Sequence, residues 1–401
     1  MEGGGAHLGT EPKKKPSQRT QIFSALSATL AGLAHGTVTT YTSPAGPKLQ
    51  NPVSPLDGDL RLSKLEYDFF SSSICLAGAV GALCFGYVMN KWGRKISLMV
   101  TAAVITIGFA MIAAGPNFPV LMIGRLLTGF GQGGALLTVP SYIGEIVAPN
   151  IRGALGEECD INDEFDKMEK FVEELKQNRG SFKDLLLPHN FKPAAICFMV
   201  LFLDQASGIM PLLLNLRTIF TEASASVSDD LSSIITGIVQ CLACVFSVFV
   251  IDKTGRKPLL IMSSAVMCLS LVALGDYFYL KEESSEWARA TLGWLPLTCL
   301  VLFMSAMNGG FFPVLYVLMG ELITPEARGI AGGIAIMLSS VSGFAVSITF
   351  HPMQEAMGMY GVYWFYGSMC FGALLFAVVV VPETKGKTMQ QIASYFNNPA
   401  A

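Results

Sequence analysis

The chain alternates between long apolar blocks and short polar segments, and the blocks lack the spacing of half-exposed helices. A membrane-spanning helix needs about 20 mostly apolar residues. Ten blocks meet this length: 22–42, 69–90, 97–115, 120–143, 194–216, 231–251, 257–279, 294–319, 329–350 and 360–381. The first block is the weakest, because serines, threonines and a histidine interrupt it. The pattern predicts an all-α integral membrane protein with about ten spans.

The polar segments divide these spans into two groups. Residues 1–21 are rich in Gly, Lys and Pro and lack an apolar run, which predicts a disordered tail rather than a signal peptide. Residues 157–193 form an acidic linker whose stretch 160–177 predicts a helix with one apolar face. We expect this face to pack against the ends of the spans; a partner-binding helix is the alternative. The predicted units are therefore a tail, a four-span bundle, a linker, a six-span bundle and a second tail (1–21, 22–156, 157–193, 194–381, 382–401).

Lysine and arginine indicate the orientation, because they accumulate on the cytoplasmic side of membrane proteins. With both termini in the cytoplasm, most of the 27 bases lie on cytoplasmic segments. Arg125 falls within a span, and the bases left outside are Lys48, Arg61, Lys64, Arg217, Lys281 and Arg289. The opposite orientation would invert this bias. The chain is predicted to be a multi-pass protein with both termini cytoplasmic.

Composition excludes several functional classes. Only 14% of the 401 residues are charged, compared with about 25% in soluble proteins. The net charge of −3 offers no basic face for nucleic acid. Cys241 and Cys244 form a mid-span CxxC without a second pair, and the four histidines are scattered, so small packing residues explain the cysteines best. We predict no metal site, no cofactor, no nucleic-acid partner and no enzymatic activity.

Two local patterns occur twice, once in each half. Gly93-Arg94-Lys95 and Gly255-Arg256-Lys257 both lie directly between two spans, where a short turn needs glycine. A Gly-Glu pair is followed seven residues later by arginine in both halves. Such duplication is typical of parallel-repeat transporters. A carboxylate at a helix end can pair with a neighbouring cationic loop and release it in another conformation. The predicted gating residues are Gly93, Arg94, Glu145, Arg152, Asp252, Gly255, Arg256, Glu321 and Arg328; the alternative is that the bases only anchor the topology.

With these repeats, four further motifs resemble the sugar porters of the major facilitator superfamily, and among them the insect facilitated trehalose transporter-like proteins. The motifs are Tyr41–Ala45, Gly124-Arg125, Gln205–Ile209 and Pro382–Thr388. The resemblance implies a major-facilitator-type helical bundle, which has two halves of six helices. This chain would have about ten helices (4 + 6) instead of twelve, with the family's fifth and sixth missing after Gly156. The implied activity is facilitated diffusion of a hexose or trehalose by alternating access across the plasma membrane.

The resemblance also implies a sugar site between the two halves. Its candidate residues are Asp204, Gln205, Ser207, Asn308 and Tyr316. Asp204 and Tyr316 stand where the family carries Gln and Trp. An acid within a span is a functional-site hypothesis by default. Three roles remain open for Asp204: solute binding, proton exchange, and a structural role in which it is water-exposed or paired with arginine. The family's proton-coupled members carry an acid in the first helix, and residues 22–42 contain none. This absence favours facilitated diffusion.

The missing helices and the altered cavity residues leave a second interpretation. The chain would then be a non-transporting truncated paralogue, acting as a sensor, as a partner of full-length carriers, or as an inactive product. The partners implied by the first interpretation are a small-molecule sugar and the lipid bilayer. An oligomer or a paralogue partner would cover the gap that two absent helices leave.

Overall fold

A computed structural model describes residues 34, 36–50, 61–147, 188–223, 229–283, 285–323 and 325–387, and these ranges contain helices and no strand. We number the helices α1 Thr42–Gln50, α2 Lys64–Trp92, α3 Arg94–Ala114, α4 Phe118–Val147, α5 Pro188–Ala206, α6 Ile209–Leu214, α7 Leu216–Ala223, α8 Asp229–Thr254, α9 Arg256–Glu283, α10 Ser285–Leu292, α11 Leu295–Ala306, α12 Phe312–Leu322 and α13 Pro325–Val379. A π-helical segment, Met307–Phe311, joins α11 to α12. Both predicted tails except residues 382–387, most of the first predicted span and most of the predicted linker lie outside the described residues.

Seven helical segments in these ranges are long and apolar enough to cross a membrane. α8 carries a shorter apolar stretch, Leu231–Ser247. The long α13 combines two predicted spans, 329–350 and 360–381, and its backbone departs from helical geometry at Gly358, where φ is +71°. The prediction of an all-α membrane protein is confirmed, whereas the count of ten spans stays a prediction.

Three boundaries differ from those expected. Helix α1 extends to Gln50, beyond the predicted first span, and α5 begins at Pro188, inside the predicted linker. The span predicted at 194–216 is divided into α5 and α6 by a turn at Ser207 and Gly208. Apolar content alone does not reveal these changes, because the turn lies within an apolar block.

In the N-half (α1–α4), glycines allow α4 to pack closely against both α2 and α3. A Cβ atom added at Gly129 would lie 2.8 Å from the carbonyl oxygen of Ile74 on α2. One added at Gly124 would lie 2.8 Å from the carbonyl oxygen of Gly108 on α3. Small residues at such contacts bring helix backbones together in membranes.

Arg125 on α4 is fully buried within the N-half. Its Nη1 donates to the carbonyl of Val38 at 2.8 Å, and its Nε donates to the carbonyl of Phe70 at 3.3 Å. The rings of Tyr41 and Phe70 flank the guanidinium, with centroids 6.0 and 5.4 Å from Cζ. The side chain therefore ties α4 to α2 and to the chain preceding α1.

The C-half (α5–α13) contains the larger apolar core, built mainly from facing side chains of α9, α11 and α13. Its fully buried members include Leu271, Leu274, Tyr277, Phe303 and Tyr363. Contact between the halves is made chiefly by α13, which packs against α2 as well as against α5 and α9. Helix α1 adds a smaller contact with α6 and α7.

Helix α8 packs against α7, α9, α11, the π-helical segment and α12, all within the C-half. Its other face exposes an apolar stripe at helical spacing: Leu231, Ile234, Ile238, Leu242, Val245 and Phe246. Cys241 and Cys244 are also exposed on this helix. We call this surface the α8 stripe.

Candidate functional site

The centre of the candidate site is the interruption between α5 and α6. Gly208 has φ of +81°, a left-handed conformation that glycine adopts readily. A Cβ atom there would lie 2.5 Å from the Tyr366 ring of α13. Glycine is thus required both for the turn and for the close contact. The interruption leaves Asp204, Gln205 and Ser207 together at the end of α5.

These three residues form a buried polar group. Nε2 of Gln205 donates to Oδ2 of Asp204 at 2.7 Å, and the Ser207 hydroxyl donates to the Asp204 carbonyl at 2.6 Å. Oδ1 of Asp204 and Oε1 of Gln205 are buried and have no hydrogen-bond partner among the residues that the structure describes. Buried polar atoms are normally satisfied. Two unsatisfied acceptors at one helix interruption therefore mark a place for a donor from a bound molecule.

The structural interpretation of Asp204 as water-exposed or paired with arginine is wrong for the described residues. Asp204 is only 2% exposed, and its side-chain hydrogen bond comes from the amide of Gln205. The Gln205 amide on the same helix therefore orients the Asp204 carboxyl through Oδ2, and Oδ1 stays available as an acceptor.

The other candidate sugar-binding residues differ in their surroundings. Tyr316 on α12 is 41% exposed and is close enough to Asp204 for an electrostatic interaction. Asn308 lies in the π-helical segment and donates from Nδ2 to the Met304 carbonyl at 2.9 Å. The structure thus brings Tyr316 near the polar group, while the amide nitrogen of Asn308 is already bonded to its own helix.

Two buried tyrosines of α13 were not predicted, and one of them reaches this site. Within the described part of the chain, the buried hydroxyls of Tyr363 and Tyr366 have no hydrogen-bond partner, and Tyr366 contacts Gly208. Tyrosines within an apolar block are common, so the sequence did not indicate a functional role for them. The packing of α13 against the turn is what places Tyr366 at the site. The π-helical segment is a further unpredicted feature, and such irregularities are frequent at functional sites.

The two ends of the molecule carry different sets of polar contacts. We call the end with Gly93 and Gly255 the basic-loop end, and the end with Lys64 and Glu355 the opposite end. Gly93 and Gly255 have φ of +86° and +93°, so both predicted turns use the conformational freedom of glycine. Each turn links two antiparallel helices with no intervening loop.

At the basic-loop end, Glu321 connects three parts of the C-half. Nη2 of Arg256 lies 2.8 Å from Oε1 of Glu321, and Nε donates to the same oxygen at 3.1 Å. The Thr384 hydroxyl donates to Oε2 at 2.5 Å. Glu321 therefore joins the end of α12 to the start of α9 and to the chain after α13.

Glu383 caps the first turn of α9, a role that was not predicted. Its Oε1 accepts from the backbone N–H of Arg256 at 3.1 Å, and its Oε2 accepts from that of Lys257 at 3.1 Å. Partial burial raises the pKa of Glu383, but backbone N–H donors from Lys385, Arg256, Lys257 and Thr384 outweigh it and hold the pKa below its ordinary value. In the sequence, Glu383 belongs to the Pro382–Thr388 motif, but that motif did not predict its capping role.

Replacing Glu383 by Gln is expected to lower the melting temperature at neutral pH by about 2–4 °C. A carboxyl with a lowered folded-state pKa stabilises the protein above its unfolded pKa, and the effect is lost as pH falls through the folded value. The difference between wild type and E383Q should therefore disappear in acid. Thermal unfolding of detergent-purified protein across pH checks this, with the exposed Glu286→Gln as the matched control; an equal difference at all pH values would contradict it.

Among the remaining predicted gating residues, Arg94 is the one whose side chain the structure describes. Arg94 opens α3 beside Gly93. The side chains of Glu145, Asp252 and Arg328 lie outside the described part of the chain, as does the whole of Arg152. The predicted pairing of a helix-end carboxylate with a cationic loop is seen here in the C-half, between Glu321 and Arg256.

At the opposite end, polar contacts join the two halves, and none of them was predicted. Nζ of Lys64 lies 3.1 Å from Oε1 of Glu355, and the Tyr67 hydroxyl donates to Oδ1 of Asn215 at 3.3 Å. The backbone N–H of Arg217 donates to the Ser43 hydroxyl at 3.1 Å. Nδ1 of His351 lies 2.5 Å from Oδ1 of Asp68. These contacts close the gap between the halves at this end.

Comparison with known sequences places both halves in one family. The family described as "Sugar (and other) transporter" matches residues 20–160 and 157–396. Trehalose transporter 1 of Drosophila melanogaster and facilitated trehalose transporter Tret1 of Drosophila erecta are each 29% identical over 447 positions. Both alignments cover 93% of this chain and 51% of the relative, so the chain spans about half the length of the curated relatives it matches. The 447 aligned positions exceed its 401 residues, which is consistent with the predicted loss of helices.

Solved structures share the fold. The inward-open conformation of the xylose transporter XylE from E. coli has a TM-score of 0.71 and 23% identity, covering 93% of this chain and 99% of that one. A D-xylose-proton symporter has a TM-score of 0.71 and 26% identity, covering 92% and 100%. Since the family match spans both helical halves and the fold agrees, the chain belongs to the family of sugar (and other) transporters.

Proposed function

We propose that this chain is a carrier that moves a hexose or trehalose by facilitated diffusion with alternating access. The observation that carries the proposal is the pair of unsatisfied acceptors, Asp204 Oδ1 and Gln205 Oε1, at the α5–α6 interruption. This interruption faces the contact between the halves, because a Cβ atom added at Gly343 would lie 2.8 Å from Gln205 Oε1 and 3.6 Å from Cys75 Sγ of α2. A solute held there would touch both halves.

The chemistry of the group suits a sugar. Sugar hydroxyls donate hydrogen bonds, and carboxylate and amide oxygens accept them. Tyr316 supplies a ring and a hydroxyl near Asp204. Binding sites for small molecules combine an apolar or aromatic surface with a few placed polar groups. Gln205, Asp204 and Tyr316 would therefore contact the sugar, with Ser207 and Asn308 shaping the helix ends around it.

We place the basic-loop end and both termini in the cytoplasm, and the protein in the plasma membrane. The bias of lysine and arginine toward the basic-loop end supports this orientation. Polar contacts between the halves at the opposite end then close the outer mouth. The described conformation accordingly has a closed outer mouth, as in the inward-facing member of the transport cycle.

Uptake of labelled glucose and trehalose into oocytes, normalised to surface protein, tests the proposal. Saturable uptake above that of water-injected oocytes is the expected result. Absent uptake of both sugars despite normal surface protein would overturn it. Trehalose and glucose serve as a matched pair, since their relative uptake reports how large a solute the site accepts.

Asp204→Asn is expected to lower uptake by about fivefold or more while leaving its pH dependence unchanged. The Asn carbonyl keeps an acceptor for Gln205 Nε2, but the free oxygen of the carboxylate is lost. A facilitated carrier needs no proton from this residue. Initial uptake rates measured between pH 5.5 and 8 check the prediction, and a flattened pH profile in D204N would instead assign proton coupling to Asp204.

A second function is favoured by the α8 stripe, which offers an apolar helix face to another membrane helix. In this alternative the chain does not transport and instead associates with a full-length relative or with itself. Co-purification of the chain with a twelve-helix relative, together with absent uptake on its own, would support it. The transporters among its relatives give no basis for an enzymatic role.

A further inference from the structure

Asp68 and His351 bring an acid and an imidazole together between the halves at the opposite end. Nδ1 of His351 and Oδ1 of Asp68 are 2.5 Å apart, and the side chains are 19% and 5% exposed. The two atoms are at ion-pair distance without hydrogen-bond alignment. Attraction between charges depends on distance and on the low local dielectric rather than on alignment. Burial therefore makes this contact stronger than the exposed pair of Lys64 and Glu355, which are 75% and 66% exposed.

The surroundings hold the imidazole against α2. The Tyr67 ring meets the His351 ring edge-on, with centroids 6.3 Å apart, and the Phe350 ring does so at 5.3 Å. Tyr67 in turn bonds Asn215 at the end of α6. One cluster thus joins α2, α6 and α13, and Asp68 and His351 lie at its centre.

The other charged groups near this cluster are few. On α2, Lys64 lies one turn from Asp68 and pairs with Glu355, which lies one turn beyond His351 on α13. On α4, Arg125 stands behind Tyr67 and bonds carbonyls of the N-half. On α7, Glu222 accepts from Gln354 at 3.2 Å. Asp68 is therefore the carboxylate in direct contact with His351.

We propose that Asp68 and His351 form an outer latch, which holds the outer mouth closed more firmly when His351 is protonated. The proposal rests on the proposed function and on its orientation. Histidine changes its charge between pH 5 and 8, so the latch responds to the pH outside the cell. Acid outside favours the inward-facing state, because only the charged imidazole attracts the Asp68 carboxylate electrostatically. Transport then slows at the step that reopens the outer mouth.

Cys75 provides a reporter that does not depend on transport. It lies two helical turns beyond Asp68 on α2 and is 5% exposed, so it becomes accessible from outside only when the halves separate at the latch. The experiment measures labelling of Cys75 by a membrane-impermeant maleimide added to intact cells, resolved by peptide mass spectrometry and normalised to surface protein. Because the reactive thiolate becomes scarcer in acid, each labelling rate is divided by the rate at which the same maleimide reacts with a free thiol at that pH. In wild type we expect this corrected rate to be about five- to tenfold lower at pH 5.5 than at pH 7.5, because the charged imidazole attracts Asp68 and keeps the halves together.

Three variants distinguish the latch from general loosening. Asp68→Asn should label fast at both pH values, and His351→Gln should lose the pH dependence. His351→Lys keeps the positive charge at all pH values, so it should label slowly at both. His189→Gln changes another histidine and should behave like wild type. Equal labelling rates in wild type at both pH values, or a pH dependence that survives in H351Q, would overturn the latch.

Uptake measured in the same cells separates this proposal from the proposed function. Labelling that follows the latch pattern without any sugar uptake would support the latch and reject transport. Saturable uptake with labelling that ignores pH and Asp68→Asn would support transport and reject the latch. The Lys64→Gln and Glu355→Gln variants serve as controls for the exposed pair and should change labelling by less than about twofold.

Discussion

Charge reversal at Glu321 should reduce sugar uptake by about tenfold or more while leaving the amount of protein at the cell surface unchanged. In the structure Glu321 accepts from Arg256 at 2.8 Å and from the Thr384 hydroxyl at 2.5 Å. Lysine at this position would place a second cation beside Arg256 and remove both contacts. Because the pair is partly exposed, its loss should alter the balance between conformations more than the folding of the chain.

A charge swap provides the decisive comparison. Arg256→Glu combined with Glu321→Lys restores opposite charges at the same place, and it should recover a substantial part of the uptake lost in either single variant. Glu286→Lys makes the same change of charge at an exposed site of α10 and should leave uptake near normal. Initial rates in oocytes, with surface biotinylation, give the measurement. Normal uptake in E321K would show that Glu321 is not a gating residue.

Gly133→Val is expected to destabilise the N-half strongly. A Cβ atom at Gly133 would lie 2.8 Å from the backbone nitrogen of Ala82 on α2, and backbone atoms move only with their helix. Overpacking of this kind lowers the free energy of unfolding by about 2–3 kcal/mol. Separation of α4 from α2 would also disturb the bonds that Arg125 makes to Phe70 and Val38. We expect less monodisperse protein and a melting temperature lower by about 5–10 °C.

Gly237→Val on α8 is the matched control, since no atom lies within 4 Å of a Cβ atom added there. It makes the same substitution in a membrane helix without a close helix neighbour, so its melting temperature should stay within about 2 °C of wild type. Size-exclusion chromatography and thermal unfolding in the same detergent compare the two variants. Equal stability of G133V and wild type would show that α2 and α4 can separate without penalty.

Sequence reasoning predicted the features that depend on local composition. Apolar length predicted an all-α membrane protein, and the two Gly-Arg-Lys turns were located at Gly93 and Gly255, because a tight turn between helices requires glycine wherever it occurs. Asp204 could be singled out for the same reason, since a carboxyl inside an apolar block is unusual on its own. Each of these signals lies within a few neighbouring residues.

The features that were missed depend on residues far apart in the chain. Glu383 caps a helix that begins 127 residues earlier, and Tyr366 reaches the turn at Gly208 from the last helix. Asp68 and His351 were not singled out in the sequence, because the proposed role of each residue depends on its contact with the other. The division of α5 from α6 was missed for another reason: an apolar block does not show which residue its backbone uses to turn.

The α8 stripe also has a consequence for the membrane around the protein. Ala243 of α8 packs against Gly309, next to Asn308 in the π-helical segment. Acyl chains bound to the stripe would therefore lie one helix diameter, roughly 10 Å, from the candidate sugar site. Lipids with longer or shorter acyl chains would change the tilt or position of α8, since a mismatch in hydrophobic thickness tilts or shifts a spanning helix. The bilayer would then form part of the wall of the proposed sugar pathway, and the rate of transport would depend on which membrane holds the protein.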